Sequence, residues 1–278
     1  MEKEKVKCEL CAFNNPRATV TAIIIKDNKL LLLKRNEEPF KGQWDLPGGY
    51  MTGGEETPEE ALKREIKEEF GISDIKLTYI KSFPAWSEWR DKKYPTLNKF
   101  YLTEITGEIK LNEENSEFSF VDLKSIDPKN IAFEPNRKMA MWLKENFIFD
   151  LEVIKKLMNQ LDSSATFNEQ YLYKAMLDGF VSKIYDGEKL IGMGWIFPRQ
   201  TLLRRQAVVE DMIVDDAYRG KGYGQKMLLE LLEWAKQQNM DIIELTTNPT
   251  RIAANELYKK CGFQLHPTNH YLYFIDKN

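Results

Sequence analysis

The stretch 46–72, LPGGYMTGGEETPEEALKREIKEEFGI, constrains the fold of this chain more than any other part. It opens with a Pro-Gly-Gly turn and continues into a glutamate-rich segment that closes at Gly71. Thr57 has the position of an N-cap residue, Pro58 that of the first helical residue, and Glu60 that of the return partner in a capping box. The pattern therefore predicts a helix with a sharply defined start.

Three glutamates of this helix, Glu65, Glu68 and Glu69, stand at i, i+3 and i+4, which places them on one face. The neighbouring stripe is apolar and contains Leu62 and Ile66. Like charges at this spacing repel by a few tenths of a kcal/mol per pair. Because Mg²⁺ prefers carboxylate oxygens together with substrate phosphate oxygens, we expect this face to bind Mg²⁺ or Mn²⁺.

Residues 64–72, REIKEEFGI, resemble the second half of the Nudix box, R-E-U-x-E-E-x-G-U with U aliphatic. Glu56 precedes Arg64 by seven intervening residues, as that box requires. The first half differs, because six residues rather than five separate Gly49 from Glu56. Either two glycines of the loop absorb the extra residue, or Glu55 takes the place of Glu56 as the loop carboxylate.

The resemblance implies an α/β/α sandwich with a mixed sheet that hydrolyses a nucleoside diphosphate linked to another group, such as ADP-ribose or NADH. It also implies that metal ions bridge the pyrophosphate and lower the pKa of the attacking water. Arg64 is expected to hold a helix carboxylate in position. The residues implied are the catalytic Arg64, Glu65, Glu68 and Glu69, of which the three glutamates ligate the metal, and the substrate-binding Arg35, Gly48, Gly49 and Glu56.

The rest of the first half offers two weaker features. Residues 84–98, between predicted strands over 75–83 and 99–109, are predicted to form a loop that either binds a base and a phosphate or packs down as a lid. An acidic segment before a strand at 118–122 either supplies a further metal ligand or base, as in several Nudix enzymes, or is solvated. The residues concerned are Trp86, Trp89, Arg90 and Tyr94 in the loop, and Glu113, Glu114 and Glu117 in the acidic segment.

The second half contains a strand over 207–214, the glycine-rich segment 218–224, YRGKGYG, and a helix over 225–238. A strand, a glycine-rich turn and a helix N-terminus together favour phosphate binding, since glycines allow close approach and the first amides of the helix are free donors. The segment resembles motif A of the GNAT acetyltransferases, [Q/R]-x-x-G-x-[G/A]. Arg219 and the second and third glycines occupy its defined places.

Residues 255–263, NELYKKCGF, resemble motif B of the same family, and a strand over 271–274 is expected to complete its mixed α/β fold with a mostly antiparallel sheet. The resemblance implies that acetyl-CoA is the cofactor and that Tyr258 gives a proton to the leaving thiolate; the alternative is a tyrosine of the core. The cofactor-binding residues implied are Ile213, Val214, Arg219, Gly220, Lys221, Gly222, Tyr223, Gly224, Gln225, Asn255 and Tyr258.

Acetyl transfer requires a neutral acceptor amine, so a base is expected near the cofactor loop. Glu210 is the predicted base and Asp211 the alternative, because strand alternation allows only one of them to face the cleft. The acceptor amine itself is not identified by the sequence.

Chain length and charge bound the remaining expectations. A chain of 278 residues suits two domains, which we place at 1–147 and 148–278. The formal charge of -3 gives no ground for a nucleic acid or membrane partner, and the absence of a signal peptide or transmembrane run predicts a cytoplasmic protein. Two alternatives to a bifunctional enzyme stay open: one domain is a non-hydrolysing nucleotide sensor that regulates the other, or the chain is an interaction protein.

The N-terminal arm, residues 1–16, carries the pair Cys8 and Cys11. Zinc takes four ligands, and the other candidates, Cys261, His266 and His270, lie at the far end of the chain. Either the pair is half of a zinc site, or it is a remnant of the small zinc-binding segment that some Nudix pyrophosphatases carry.

Overall fold

The computed structural model describes residues 15–89, 92–164 and 166–273. Cys8, Cys11 and Arg90 lie outside the described residues, so the predictions made for them are not tested. The described chain separates into two compact units. The first comprises the residues up to Leu151 together with Glu169–Lys174, and the second comprises Glu152–Asn168 and the residues from Ala175 onwards.

The first unit contains two sheets and the glutamate-rich helix. Its helices are α1 (Pro58–Phe70) and α2 (Glu134–Asn146). Its strands are β1 (Arg17–Ile23), β2 (Ile25–Lys26), β3 (Lys29–Arg35), β4 (Trp44–Asp45), β5 (Gly48–Tyr50), β6 (Ile75–Trp89), β7 (Lys92–Ile105) and β8 (Asn115–Asp122).

One sheet has the order β5-β1-β7-β6 and is mixed, because β1 and β7 run parallel whereas the other neighbours are antiparallel. The second sheet is antiparallel, with the order β2-β3-β4 and with β8 also paired to β3. The apolar stripe of α1 packs on Val20 and Ala22 of β1 through Leu62 and Ile66, all fully buried. This core fixes the opposite, glutamate-bearing face of α1 relative to the start of β5.

The predicted loop over 84–98 is wrong, because β6 and β7 continue through it as one long hairpin. Pro84 and Pro95 lie inside the two strands and conceal the strand pattern, since proline is depleted in strands. Trp86 and Tyr94 are therefore strand residues, and both are partly buried.

The second unit is built on one sheet with the order β12-β11-β10-β9, in which only the β11–β12 pair is parallel. This agrees with the predicted mostly antiparallel sheet. Its elements are α3 (Leu151–Leu161), β9 (Phe180–Asp186), β10 (Lys189–Gln200), β11 (Arg205–Val214), α5 (Tyr223–Gln237), β12 (Ile242–Leu245) and α6 (Ile252–Lys260). Helix α4 (Glu169–Asp178) is divided between the units, because Glu169–Lys174 belongs to the first. The strand predicted over 271–274 is wrong for its described part, because residues 271–273 form no strand and are exposed.

Among the residues that the structure describes, no helix combines the length and the apolar character that a membrane crossing requires.

The beginning of α4 is bonded to the turn between β2 and β3. Glu169 accepts hydrogen bonds from the backbone N–H of Asp27, at 2.9 and 3.1 Å to its two oxygens. Tyr173 is fully buried, stacks on Phe147 with a ring separation of 5.4 Å and lies 5.9 Å from the ring of Phe149. Residues 169–174 thus supply part of the aromatic core of the first unit.

Replacing Tyr173 with Ala is expected to lower the free energy of unfolding of the first unit by about 3–5 kcal/mol, because a buried aromatic ring is removed and a cavity remains. The measurement is urea unfolding of the full chain, followed by hydrogen exchange of the amides of residues 25–35. The matched control is Tyr171→Ala on the same helix, where the side chain is 64% exposed and a change of at most about 0.5 kcal/mol is expected. Equal losses in the two variants would contradict the assignment.

Candidate functional site

Helix α1 begins as the sequence predicts. The backbone N–H of Glu60 donates to the Thr57 hydroxyl, and the Glu60 carboxylate accepts from the Thr57 N–H at 2.8 Å, which completes the capping box. Gly71 ends the helix in the left-handed conformation, with φ of 70°. With both ends defined, the rotation of α1 is set by its buried stripe, and Glu65, Glu68 and Glu69 lie on the face predicted for them.

Arg64 joins the loop glutamate to the helix. Its Nε and Nη2 donate to the two carboxylate oxygens of Glu56, at 3.1 and 2.9 Å. Its Nη1 donates to Glu65 at 2.8 Å and to Glu68 at 3.1 Å. These bonds lower the pKa of Glu56 to about 2. Glu56, rather than Glu55, is therefore the loop carboxylate that faces Arg64.

The residue inserted before Glu56 is accommodated in a turn. Gly54 has a φ of 81°, and a side chain at Gly53 or Gly54 would meet no other atom within 4 Å. The N–H of Thr52 donates to Glu56 at 2.6 Å, which closes this turn onto the carboxylate. The helix half of the site is thus unaffected by the insertion.

The two glycines of β5 lie directly against the helix carboxylates. The N–H of Gly48 donates to Glu69 Oε2 at 3.0 Å. A Cβ atom at Gly49 would lie 2.4 Å from the Glu65 carboxylate, so a side chain here would displace that carboxylate from its present position. The structure therefore brings together Gly48, Gly49, Glu65 and Glu69, to which the sequence analysis assigned substrate and metal binding.

The carboxylates at this place are partly removed from water. Glu69 is 7% exposed, and burial raises its pKa well above the usual range, with the negative charges of Glu65, Asp45 and Glu114 acting in the same direction. Burial likewise raises the pKa of Glu65, and the carboxylates of Glu68 and Glu114 add to the effect. Bringing a cation to the cluster would relieve this repulsion.

The donor set fits a hard divalent cation in its chemistry, because it consists of carboxylates beside a glycine backbone that leaves room for phosphate. Within the ranges that the structure describes, no three His, Cys, Asp or Glu side chains are already arranged to hold a metal ion. Arg64 engages one oxygen of Glu65 and one of Glu68, and the Gly48 N–H engages Glu69. Metal ligation by the three glutamates stays a prediction.

A cleft of about 420 Å³ runs past this cluster. Arg35 lies in it as predicted: its Nε donates to the Pro39 carbonyl at 2.9 Å, and its guanidinium lies 5.1 Å from the centre of the Phe133 ring. Several lining residues were not predicted from the sequence as parts of the site. They are Thr19, Thr21, Asp45, Tyr50, Ser87, Asn98, Asn112, Phe133, Pro135 and Asn136.

Asp45 is the most informative of these residues. It accepts a hydrogen bond from Asn136 at 2.6 Å and lies 3.6 Å from the Arg35 guanidinium. Burial raises its pKa to about 6. Its place just before the Pro-Gly-Gly turn was the available sequence signal, whereas its partner Asn136 lies 91 residues away and gave none.

The glycine-rich segment of the second unit forms an open turn before α5. Gly220 and Gly222 have φ of 76° and 85°, and Gly222 is the N-cap residue of α5. In the described part of the chain, the backbone N–H groups of residues 220–225 form no hydrogen bond with the protein. The turn therefore presents a series of free amide donors at a helix N-terminus, as predicted.

Strand β11 extends beyond its parallel neighbour. The pairing of β11 with β12 ends at Val209 and Leu245, whereas β11 continues to Val214. A bulge at Asp211, which has a φ of 50°, separates this end from the regular ladder. Ile213 and Val214 thus lie on an edge of β11 that leads into the glycine-rich turn.

The Arg219 side chain is bonded to the protein, since its Nε donates to the Val214 carbonyl at 3.1 Å and its Nη2 pairs with Asp216 at 2.6 Å. Helix α6 packs beside the turn, because a Cβ atom at Gly224 would lie 3.3 Å from Leu257. The side-chain Nδ2 of Asn255 donates to the carbonyls of Asn248 and Arg251, at 3.1 and 3.0 Å. A contact of Arg219 or Asn255 with a cofactor stays a prediction.

Tyr258 and Glu210, the predicted proton donor and base, are both partly buried. Burial raises the pKa of Tyr258, whose ring lies edge-on to Phe263 at 6.1 Å. Burial also raises the pKa of Glu210, and the negative charges of Asp211 and Glu244 add to the effect. A raised pKa suits a carboxylate that accepts a proton, but the two roles remain predictions.

Comparisons with known proteins assign the two halves. The model of the NUDIX domain matches residues 15–143, and that of the acetyltransferase (GNAT) family matches residues 146–263. An ADP-ribose pyrophosphatase of Methanocaldococcus jannaschii is 44% identical over 133 residues, which are 47% of this chain and 75% of that protein. The nucleoside triphosphatase NudI of Escherichia coli is 36% identical over 116 residues, covering 38% of this chain and 81% of that protein.

A solved structure of a MutT NUDIX hydrolase from Burkholderia pseudomallei has a TM-score of 0.40 and 24% identity, and the match covers 46% of this chain and 97% of that one. With its 44% identity to a relative of which it covers three quarters, the chain belongs to the Nudix hydrolase family, and a GNAT acetyltransferase domain follows in the same polypeptide.

Proposed function

We propose that the first unit hydrolyses a nucleoside diphosphate-linked substrate of the ADP-ribose or NADH type in a Mg²⁺-dependent reaction. The observation that carries this proposal is the contact of Gly48 and Gly49 with the carboxylates of Glu69 and Glu65. Here the two glycines of β5 face the buried Glu69 and the partly buried Glu65, which is an arrangement for phosphate and a divalent cation rather than for an apolar ligand.

Bound metal would supply charge neutralisation on the bridging oxygen and a more acidic attacking water. The chain's own residues have separate tasks. Glu65, Glu68 and Glu69 would hold the metal, and Arg64 keeps the first two oriented through its bonds to both. Glu114 lines the same cleft, and its charge raises the pKa of Glu65 and Glu69, which supports our proposal of Glu114 as a further ligand or base.

The substrate class rests on the 44% identity to the ADP-ribose pyrophosphatase, while the 36% identity to a nucleoside triphosphatase makes triphosphate hydrolysis the second candidate. With Mg²⁺, kcat/KM for ADP-ribose or NADH is expected to exceed that for nucleoside triphosphates at least tenfold. The measurement is product release from ADP-ribose, NADH, a dinucleoside polyphosphate and the common triphosphates. The opposite ranking would favour the second candidate, and no hydrolysis of any substrate would favour a nucleotide sensor.

For the second unit we propose transfer of an acetyl group from acetyl-CoA to an amine. The unbonded amides of residues 220–225 support a phosphate-binding turn for the pyrophosphate of the cofactor. Tyr258 is proposed to protonate the leaving thiolate, and Glu210 to receive the proton of the amine. We further propose 1–147 and 148–278 as the functional domains. The family matches, which end at 143 and start at 146, support this boundary, whereas residues 148–151 and 169–174 pack with the first unit.

A further inference from the structure

The cleft of the first unit has two ends of different chemistry. One, here called the cationic end, is formed by Arg35, Asp45, Phe133 and Asn136. The other, here called the hydroxyl end, is lined by uncharged hydrogen-bonding groups, and the Arg17 guanidinium lies behind it, 4.7 Å from the centre of the Tyr94 ring. It consists of Thr19, Tyr50, Ser87, Tyr94 and Asn98, which line the cleft, and of Thr96 behind them.

The short segment 45–50 connects the two ends and passes the carboxylate cluster on its way. Asp45 belongs to the cationic end and accepts from Asn136, Gly48 donates to Glu69, and the Tyr50 hydroxyl lies 2.8 Å from that of Tyr94. An extended chain advances at most about 3.5 Å per residue, so the two ends lie up to roughly 17 Å apart. The diphosphate position at Gly48 and Gly49 therefore lies between them.

The hydroxyl end is a polar area on a sheet face that is apolar elsewhere. Parallel pairing of β1 with β7 places Thr19 beside Asn98, whereas two rows further along Ile23 pairs with Leu102. Thr96, Asn98 and Ser87 are 1%, 5% and 8% exposed. Burying such groups is costly compared with an apolar wall, unless they bind a partner. Ser87 and Thr96 bond to each other at 3.3 Å, and Asn98 donates to Thr96 at 3.1 Å, so these groups are already paired. The lone pairs that remain at the cleft suit a ligand with polar groups.

The bonds within the hydroxyl end leave acceptors for that ligand. The Thr19 hydroxyl donates its hydrogen to Asn98 Oδ1 at 2.5 Å, so its oxygen keeps free lone pairs. The Asn98 amide donates to the Phe83 carbonyl at 3.3 Å and to Thr96 Oγ1 at 3.1 Å, which fixes its orientation. A fixed wall of hydroxyl and amide groups suits the hydroxyls of a sugar.

The cationic end suits a planar group instead. The Arg35 guanidinium lies over the Phe133 ring, and this ring is held edge-on by Phe40 at 5.2 Å. Guanidinium planes and aromatic rings are the surfaces on which nucleobases stack. Arg35 is held in place by Asp45 at 3.6 Å and by the Pro39 carbonyl at 2.9 Å.

We propose that the substrate binds with its nucleobase at the cationic end, its diphosphate at Gly48 and Gly49, and a hydroxyl-bearing sugar at the hydroxyl end. Thr19 and Asn98 then select nucleoside diphosphate sugars over nucleoside triphosphates. This inference rests on the proposed hydrolase function of the first unit and adds the orientation of the substrate and the residues that determine its class.

The test compares ADP-ribose with ATP, which share the nucleoside and the diphosphate and differ in the terminal group. Thr19→Val and Asn98→Leu are expected to lower kcat/KM for ADP-ribose about tenfold each, because a sugar hydroxyl loses its partner. For ATP the change is expected to stay below about threefold. The matched control is Thr103→Val, a buried threonine of β7 that donates to the Tyr101 carbonyl away from the cleft. This variant should leave kcat/KM unchanged for both ADP-ribose and ATP.

A second measurement separates this inference from the hydrolase proposal. Binding of ribose 5-phosphate and of AMP to the full chain with Mg²⁺ is followed by NMR titration. Both variants should raise the Kd for ribose 5-phosphate about tenfold and leave the Kd for AMP unchanged. If the parent hydrolyses nothing yet shows this pattern, the hydrolase proposal fails and the orientation stands. If the variants lose kcat/KM equally for ADP-ribose and ATP, or lose none for ADP-ribose, the proposed substrate orientation is wrong even in an active enzyme.

Discussion

Replacing Glu68 with Gln is expected to lower kcat of the Mg²⁺-dependent hydrolysis about 100-fold or more. The Glu68 side chain is 56% exposed, and its ion pair with Arg64 at 3.1 Å joins successive turns of one helix. Such a pair contributes only about 0.5 kcal/mol to stability, so the fold should survive the change. With Glu68 as a metal ligand, as we propose, the change would instead remove several kcal/mol of transition-state stabilisation, and each 1.4 kcal/mol is tenfold in rate.

Glu145→Gln is the matched control, because it removes the same charge from an exposed position of α2 in the same unit. Its kcat should equal that of the parent. The Glu68 variant should also require a higher Mg²⁺ concentration for half-maximal rate, which a purely structural role would not produce. A variant as fast as the parent at every Mg²⁺ concentration would remove Glu68 from the metal site.

Gly222→Glu is expected to raise the Kd for acetyl-CoA about 100-fold or more. Gly222 has a φ of 85° and precedes the first turn of α5, where the free amides point. A glutamate there brings a side chain into the turn and a negative charge beside the proposed position of the cofactor pyrophosphate, which would counteract the attraction of the helix N-terminus. Isothermal titration calorimetry of the full chain with acetyl-CoA measures the effect.

The same substitution at Gly187 is the matched control, because it introduces the same backbone strain at a turn that is not proposed to bind acetyl-CoA. Gly187 has a φ of 60° in the turn between β9 and β10, and a side chain there would meet no atom within 4 Å. Glutamate at a positive φ costs about 1–2 kcal/mol at either position. Gly187→Glu should therefore destabilise the second unit without weakening acetyl-CoA binding. Similar affinities for both variants would disprove the role given to residues 220–225.

Local features of the site were predictable from the sequence. The capping box at Thr57, the end at Gly71 and the carboxylate face of α1 depend on residues within a few positions of each other, and the structure contains all three. The same holds for the glycine turn before α5. These features could be predicted because each depends on a short sequence motif that determines the local backbone conformation.

The hairpin of β6 and β7 was missed for a physical reason connected with the cleft. Strand prediction depends on alternation of apolar and polar residues, but Ser87, Thr96 and Asn98 are polar residues on a buried face. Pro84 and Pro95 obscured the pattern further. Sequence rules fail where a surface serves a ligand rather than the core, so this failure itself points to the cleft wall.

The partners of Arg35 and Asp45 depend on tertiary contacts. Asn136 reaches Asp45 from the first turn of α2, and Phe133 reaches Arg35 from the residue before that helix. No local pattern predicts which helix covers that end of the cleft. The unpaired segment 271–273 also escaped prediction, because its aromatic alternation is typical of a strand, although the structure leaves it exposed.

Residues 169–174 belong to the first unit, although they follow a segment of the second, and this limits where the gene can be divided. Because Glu152–Asn168 belongs to the second unit, the two enzymes are interleaved along the chain and no single cut releases both intact. A truncation after residue 151 would uncover Phe147 and Phe149 and create an aggregation-prone surface. A recombination event that replaced the acetyltransferase domain would have to keep Glu169 and Tyr173, because both pack against the first unit. We therefore expect these two residues to be retained wherever the two domains occur in one chain.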